Sequence, residues 1–175
     1  REEYILDGVV RGYEYIKAGK KGRGKASFKV YEDDNLLLGD GGVFSCLEDL
    51  AKWEVGMADG FRVLGLSPEV VAQQYMSICL DNGAKTCYGM GVFADSESTS
   101  EAWHDGSWMG TSAIFRRDCS LKSEHSFAVW VLCNIDGYDD PVRQICDSVW
   151  KEIHTLKNVT VPPILTEVEF PSQHE

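Results

Sequence analysis

Apolar positions in this chain form short strand-like runs near its start and recur at helical spacing in three stretches. Tyr4-Ile5-Leu6 and Gly12-Tyr13-Glu14-Tyr15-Ile16 read as strands broken by Asp7-Gly8. Ser27-Phe28-Lys29-Val30-Tyr31 alternates and predicts another, followed by the polar loop Glu32-Asp33-Asp34-Asn35. A helix is expected after Gly39-Asp40-Gly41-Gly42. Ser45 and Glu48 stand at capping-box spacing, Leu47, Leu50, Ala51, Val55 and Ala58 share a face, and Asp59-Gly60 ends it. A second helix is expected from Ser67-Pro68-Glu69, with Ser as cap and Pro at the first position. Its apolar face is Val71, Tyr75, Ile78 and Cys79, and Asp81-Asn82-Gly83 is its terminator.

Tyr88-Gly89-Met90-Gly91-Val92-Phe93 then predicts a strand, residues 101–104 a short one, and residues 111–117 another. Residues 126–133 are apolar nearly throughout, the pattern of a central strand buried on both faces. The last helix carries apolar residues at 142, 145, 146, 149, 150 and 153, and Pro162-Pro163 bars its continuation. Together these elements predict an α+β class: an antiparallel sheet of three to four strands with helices packed on it. Residues 1–157 form the expected domain and residues 158–175 a tail.

Composition narrows the partners. At 175 residues with 43% hydrophobic side chains, one packed domain is expected. A net charge of −11 repels phosphates, so neither nucleic acid nor an anionic membrane is an expected partner. No apolar run is long enough to span a bilayer, and Arg1-Glu2-Glu3 does not open a signal peptide, which favours a cytoplasmic location. Asn158-Val159-Thr160 fits a glycosylation acceptor, relevant only to a secreted protein. The six cysteines, at 46, 79, 87, 119, 133 and 146, form no C-x-x-C and stand near no paired His. No metal or cofactor is expected, and buried free thiols are, with Cys79 and Cys87 flanking a turn as the one candidate disulfide. Asp136, Asp139 and Asp140 follow no calcium-loop pattern and suit helix capping.

Three segments carry candidate chemistry. Residues 19–25 satisfy G-x-x-x-x-G-K, but Ala26 lacks the metal-binding hydroxyl and a strand follows where a phosphate loop needs a helix. A solvated basic loop is the expectation there. Ser148-Val149-Trp150-Lys151 matches S-x-x-K in mid-helix, among core positions. The third segment is Trp103-His104-Asp105-Gly106-Ser107-Trp108-Met109-Gly110. Its Asp-Gly pair can be read as a hairpin turn, with His104 an exposed strand residue. The other reading makes it one wall of an active site. His125, His154 and His174 are assigned no chemistry, and Trp53, Trp130 and Trp150 are expected in the core.

The second reading comes from a resemblance. Arg11-Gly12-Tyr13, Gly39-Asp40-Gly41-Gly42-Val43-Phe44-Ser45, Glu48-Asp49-Leu50-Ala51-Lys52-Trp53, Leu66-Ser67-Pro68-Glu69, Tyr88-Gly89-Met90-Gly91, His104-Asp105-Gly106 with Gly110, and Asn134 follow one another in an order that resembles the penicillin-recognising serine hydrolases. That family includes class C β-lactamases, D-amino-acid carboxypeptidases and related esterases. Its members use S-x-x-K for the nucleophile and its base, Y-x-N for proton transfer, and K-T-G or H-x-G on the strand edging the site. Only the third motif has a counterpart here, at His104-Asp105-Gly106. No Y-x-N occurs in the chain, and the one S-x-x-K follows the third motif, where the family's nucleophile precedes it.

The resemblance implies the C-terminal half of a β-lactamase-like fold. By it, His104 serves the substrate and the proton network, the Ser107 backbone N–H donates to an oxyanion, and Gly106 admits the substrate. Asp105, Trp103 and Trp108 are the remaining candidates for substrate contact. The implied substrate is a small or peptide-like amide or ester, processed through an acyl-enzyme. Without the other two motifs the chain is expected to be inactive alone and to self-associate or pair with the missing N-terminal half. The alternative is a non-catalytic binding or interaction module on the same scaffold.

Overall fold

A computed structural model describes residues 8–16, 26–31, 41–58, 60–61, 64–94, 101–119, 127–137 and 139–156. Its elements, in chain order, are β1 (Tyr13–Ile16), β2 (Ser27–Val30), α1 (Leu47–Ala58), α2 (Pro68–Gln73), β3 (Phe93–Ala94), β4 (Glu101–Trp108), β5 (Thr111–Asp118), β6 (Ala128–Cys133), β7 (Ile135–Asp136) and α3 (Asp139–Leu156). The α+β class stands. One sheet is antiparallel with order β3-β4-β5-β6, and a smaller one has order β2-β1-β7 with β1 and β7 parallel. The expected strand at residues 4–6, the segment 19–25, His125, His174, the glycosylation acceptor and the tail lie outside the described residues.

The β4–β5 hairpin is the centre of the larger sheet. Trp108 pairs with Thr111, and Met109 and Gly110 between them sit at φ 51 and 75, the two left-handed residues of a two-residue hairpin turn. Thr111 Oγ1 donates to the Trp108 carbonyl at 2.5 Å. The turn therefore follows His104-Asp105-Gly106, which lies in mid-strand opposite Phe115, Ile114 and Ala113. The Asp-Gly turn reading is thereby corrected, and the short strand expected at 101–104 runs on to Trp108.

The hairpin tip docks on the start of β1. A side chain on Gly12 would meet the Met109 carbonyl, and one on Gly110 would meet the backbone of Gly12 and Tyr13. The Tyr13 N–H donates to both the Gly110 carbonyl (2.9 Å) and the Asn134 carbonyl (3.0 Å), and the Asn134 side chain donates to Arg11. Glycine is needed at 12 and 110 because two backbones touch there.

Strand alternation divides the sheet into two faces. Ile114 and Val129 point to one face and join Val142, Cys146 and Trp150 of α3 in the core, with Phe127, Val131, Cys133 and Ile153 packed around them. Ile145 and Val149 turn away from it and are exposed, so only part of the predicted apolar stripe is covered. β6 is the outermost strand of its sheet among the described residues, and Leu132 is exposed, so it is not a central strand buried on both faces.

On the opposite face α1 is held by a polar cluster. Both Glu54 carboxylate oxygens accept from Arg117, at 2.6 Å each, and Oε1 also accepts from the Trp130 indole at 2.7 Å. Arg117 Nη1 donates to the Tyr75 hydroxyl at 2.8 Å. The face of α1 read from sequence is thus not the buried one. Of that face Leu47, Val55 and Ala58 are exposed and Leu50 and Ala51 half-buried, whereas Gly56 and Met57 are buried, and Trp53, expected in the core, is exposed. The helix starts at Leu47, one residue later than a Ser45 cap requires, and Ser45 Oγ lies 3.5 Å from the Cys46 carbonyl. Gly60, at φ 67, closes its C-terminal end, where the Phe61 N–H reaches the Gly56 carbonyl at 2.7 Å.

The Ser67 cap is present, accepting from the Val70 N–H at 3.4 Å, but α2 ends at Gln73. Residues 78–88 form a hairpin turned at Gly83 (φ 81), so Asn82-Gly83 reverses the chain instead of ending a helix. Residues 89–92 are likewise a tight turn between the bridged Tyr88 and Phe93, leaving a two-residue β3 where a six-residue strand was expected. Among the cysteines only Cys146 is buried. Cys46, Cys79 and Cys87 are exposed, and all six thiols are free.

Candidate functional site

The six candidate residues all lie on β4, and its alternation separates them. His104, Gly106 and Trp108 share the face that holds α1, while Trp103, Asp105 and Ser107 point to the α3 side. Asp105 binds Arg143 of α3, whose guanidinium also lies 5.0 Å over the Trp103 ring. Phe93 stacks on Trp103 at 4.4 Å. Trp103 is thus sandwiched and Asp105 is paired, so neither side chain shares the surface that His104 faces. Ser107 Oγ donates to Asp136 at 2.5 Å, and Asp136 also accepts from the Gly137 N–H at 2.7 Å. That hydroxyl ties β4 to β7, and Asp136 is occupied by Ser107 and the Gly137 amide instead of capping α3. A cleft of ≈ 190 Å³ between Trp103, Ile114, Arg116, Arg143 and Asp147 lies on the α3 side as well. Its arginines are spent on Asp105, Glu101 and Asp147.

The other face is more open. A side chain at Gly106 would meet no heavy atom within 4 Å. Trp108 is partly exposed next to it. His104 is half-buried, and its Nε2 lies 2.9 Å from the Tyr88 hydroxyl. The imidazole is also flanked by Tyr88 and Phe93, with ring centroids at 5.8 and 5.6 Å. Tyr88 is positioned from several directions. Its carbonyl accepts from Ile78 at 3.1 Å, its ring meets Phe93 edge-on at 4.8 Å, and the next turn is held where the Met90 N–H meets the Gln74 carbonyl at 2.9 Å. The sequence singled out Tyr88-Gly89-Met90-Gly91 but not the pairing of Tyr88 with His104, which lies 16 residues away.

The strand edge adds backbone donors. Trp108 and Thr111 flank a two-residue turn and so form a hydrogen-bonded pair, which makes Ser107 and Asp105 members of non-hydrogen-bonded pairs with β5. Their N–H and C=O groups point outward from the hairpin. β3 covers only Ala102 and Trp103, so beyond that point the outward edge of β4 faces no strand among the described residues. An oxyanion or a peptide-like backbone can be met there by fixed amides.

Ser148 donates to the Gln144 carbonyl at 2.7 Å within α3, beside the buried Trp150, and is not placed as a nucleophile. His154 sits edge-on to Trp150, 3.7 Å from Glu101. No metal-holding cluster of His, Cys, Asp and Glu exists among the described residues, and none of their helices is long and apolar enough to cross a membrane. Comparisons with protein-family models, curated proteins and solved structures gave no match.

Proposed function

We propose that this chain is the substrate-side wall of a β-lactamase-related serine hydrolase, with the attacking serine and its base supplied from outside residues 1–175. The observation that carries this reading is the outward edge of β4. There an imidazole, an empty Gly106 position and two outward amides stand within four consecutive residues. Acyl transfer needs a slot in which a carbonyl can lie flat on a strand. It also needs fixed N–H groups aimed at the oxygen that becomes negative, and removing one such donor costs about 3–4 kcal/mol of transition-state stabilisation. Gly106 provides the slot, the Ser107 N–H the donor, and His104 a group for a second acceptor on the substrate. Trp108 contributes apolar contact. The substrate class that fits is a small or peptide-like amide or ester.

The test is a nitrogen-15 NMR titration of the chain with an N-acyl dipeptide amide, in parallel with the Gly106→Val variant. The reading expects shifts confined to the amides of residues 104–108 and their loss in the variant. A fluorophosphonate probe should add no covalent mass. Equal shifts in both proteins would overturn the wall, and labelling of Ser148 would overturn the claim that the nucleophile comes from elsewhere.

A second reading, a non-catalytic interaction module, is favoured by the exposed Ile145 and Val149 on α3 and by the outermost position of β6 among the described residues. Light scattering decides its weight. Self-association of the pure chain supports it, and a monomer with no binding of apolar dyes argues against it.

A further inference from the structure

We infer that Tyr88 is a positioning residue that fixes the tautomer of His104, so that the imidazole presents Nδ1–H as a hydrogen-bond donor whether the ring is neutral or charged. The inference rests on the reading of His104 as ligand-facing, and it adds the chemistry of the group that His104 would meet. The Tyr88 hydroxyl and His104 Nε2 are 2.9 Å apart, a full hydrogen bond. In a neutral imidazole one nitrogen donates and the other accepts, and the partner of one decides the role of the other. The bare imidazole nitrogen is a stronger acceptor than a phenol oxygen, and the phenol O–H is a stronger donor than the ring N–H. Tyr88 therefore donates to Nε2, and the ring proton goes to Nδ1.

When the imidazole gains a second proton, that proton sits on Nε2. The Tyr88 hydroxyl then turns from donor to acceptor, since it has both capacities. Nδ1 keeps its proton throughout. Among the described residues no partner meets Nδ1, so its N–H remains available. The ring cannot easily turn over to exchange the nitrogens, because Tyr88 and Phe93 flank it. The rings next to the imidazole add no competing charge: Phe93 lies beside it and Phe115 faces it across the ladder. Tyr88 is itself held by the 78–88 hairpin and by the turn docked on Gln74. A ligand that meets His104 should thus bring an acceptor, such as a carbonyl or carboxylate oxygen, and not a donor.

The tautomer can be read without any ligand. Long-range proton–nitrogen NMR spectra of the nitrogen-15-labelled chain, recorded above the imidazole titration, separate a protonated ring nitrogen from a bare one. The expected result is a single tautomer for His104, protonated at Nδ1. Tyr88→Phe keeps both aromatic contacts and should give averaged signals from the two tautomers. A wild-type His104 protonated at Nε2, or averaged between the tautomers, overturns the inference, as does a Tyr88→Phe spectrum identical to wild type. Failure of the ligand titration described above would leave this result standing, so the two readings fail separately.

Discussion

Replacing Glu54 with alanine is the perturbation whose cost the structure defines best. The Glu54 carboxylate takes both arms of the Arg117 guanidinium and the Trp130 indole N–H. Side-chain exposure is 7% for Arg117 and 18% for Glu54, so the charge is poorly served by water. Burial pulls the Arg117 pKa down, and the hydrogen bonds and negative charge of Glu54 more than reverse this, leaving it above its ordinary value. Among the described residues, the guanidinium in Glu54→Ala would keep only the neutral Tyr75 hydroxyl as a hydrogen-bond partner, and the indole N–H would have no acceptor. Breaking a buried ion pair from one side costs about 3–5 kcal/mol, and an orphaned N–H adds about 1–3 kcal/mol. Water can enter where Glu54 was partly open, which discounts both, and the expected loss is about 3–4 kcal/mol. Equilibrium unfolding in urea reads this as a midpoint lower by about 1.5–2 M at an m-value of about 2 kcal/mol/M. A loss below about 1 kcal/mol would place the pair among surface ion pairs and refute the argument. The control is Glu54→Leu combined with Arg117→Met. It removes both charges at similar volume and should lie well above Glu54→Ala in stability.

Gly106→Val should leave stability within about 0.5 kcal/mol, because the site is open strand surface, while abolishing ligand-induced shifts at residues 104–108. Gly110→Ala should cost more than about 2 kcal/mol by thermal unfolding, since the left-handed φ and the contact with Gly12 and Tyr13 act together. Burial pushes the Cys119 thiol up to about 11 and the Tyr75 phenol up to about 12, from 9.0 and 10.0. Both are neutral when protonated, so the unfolded chain releases their protons first. Their contribution is complete below pH 9.0 and is lost as the pH rises through about 11 and 12. A pH series of unfolding midpoints should therefore decline above pH 9, and less steeply in a Cys119→Ala variant. At pH 8 iodoacetamide should label Cys46, Cys79 and Cys87 first, with Cys119 about a hundredfold slower from ionisation alone.

What was legible in the sequence was what local chemistry decides. Ser67-Pro68 sets a helix start through one hydroxyl and one fixed φ, and the spacing of Val142, Cys146 and Trp150 identifies the buried side of α3. Misreadings arose where a local signal had two meanings. Asn82-Gly83 serves a hairpin as well as it ends a helix, and only the pairing of Ile78 with Tyr88 and Thr86 selects the hairpin. Asp105-Gly106 is a stronger turn signal than Met109-Gly110, yet the turn forms at the latter, with Met109 in a conformation unfavourable to it. Docking on Gly12 and the register with β5 outweigh local preference there. The buried side of α1 followed an apolar pattern in sequence but follows Glu54 in the structure, whose partner is 63 residues away. The candidate segment is visible in sequence through His104 and Gly106, but the separation of its members across β4 depends on the strand's continuing to Trp108.

The Tyr13 N–H shared between Gly110 and Asn134 has a kinetic consequence. This single proton is held in a junction of β1, the β4–β5 turn and the link between β6 and β7. It can exchange with solvent deuterium only when the contact to Gly110 and that to Asn134 open together. The hairpin can close locally on a timescale of about 1–10 μs, but the contact to Gly12 spans most of the chain and must wait for long-range closure. The Tyr13 amide therefore acts as a coincidence detector. Its protection in a pulse-labelled refolding reaction reports the moment at which the strand carrying His104 becomes anchored at its tip, separately from the moment at which the strand itself forms.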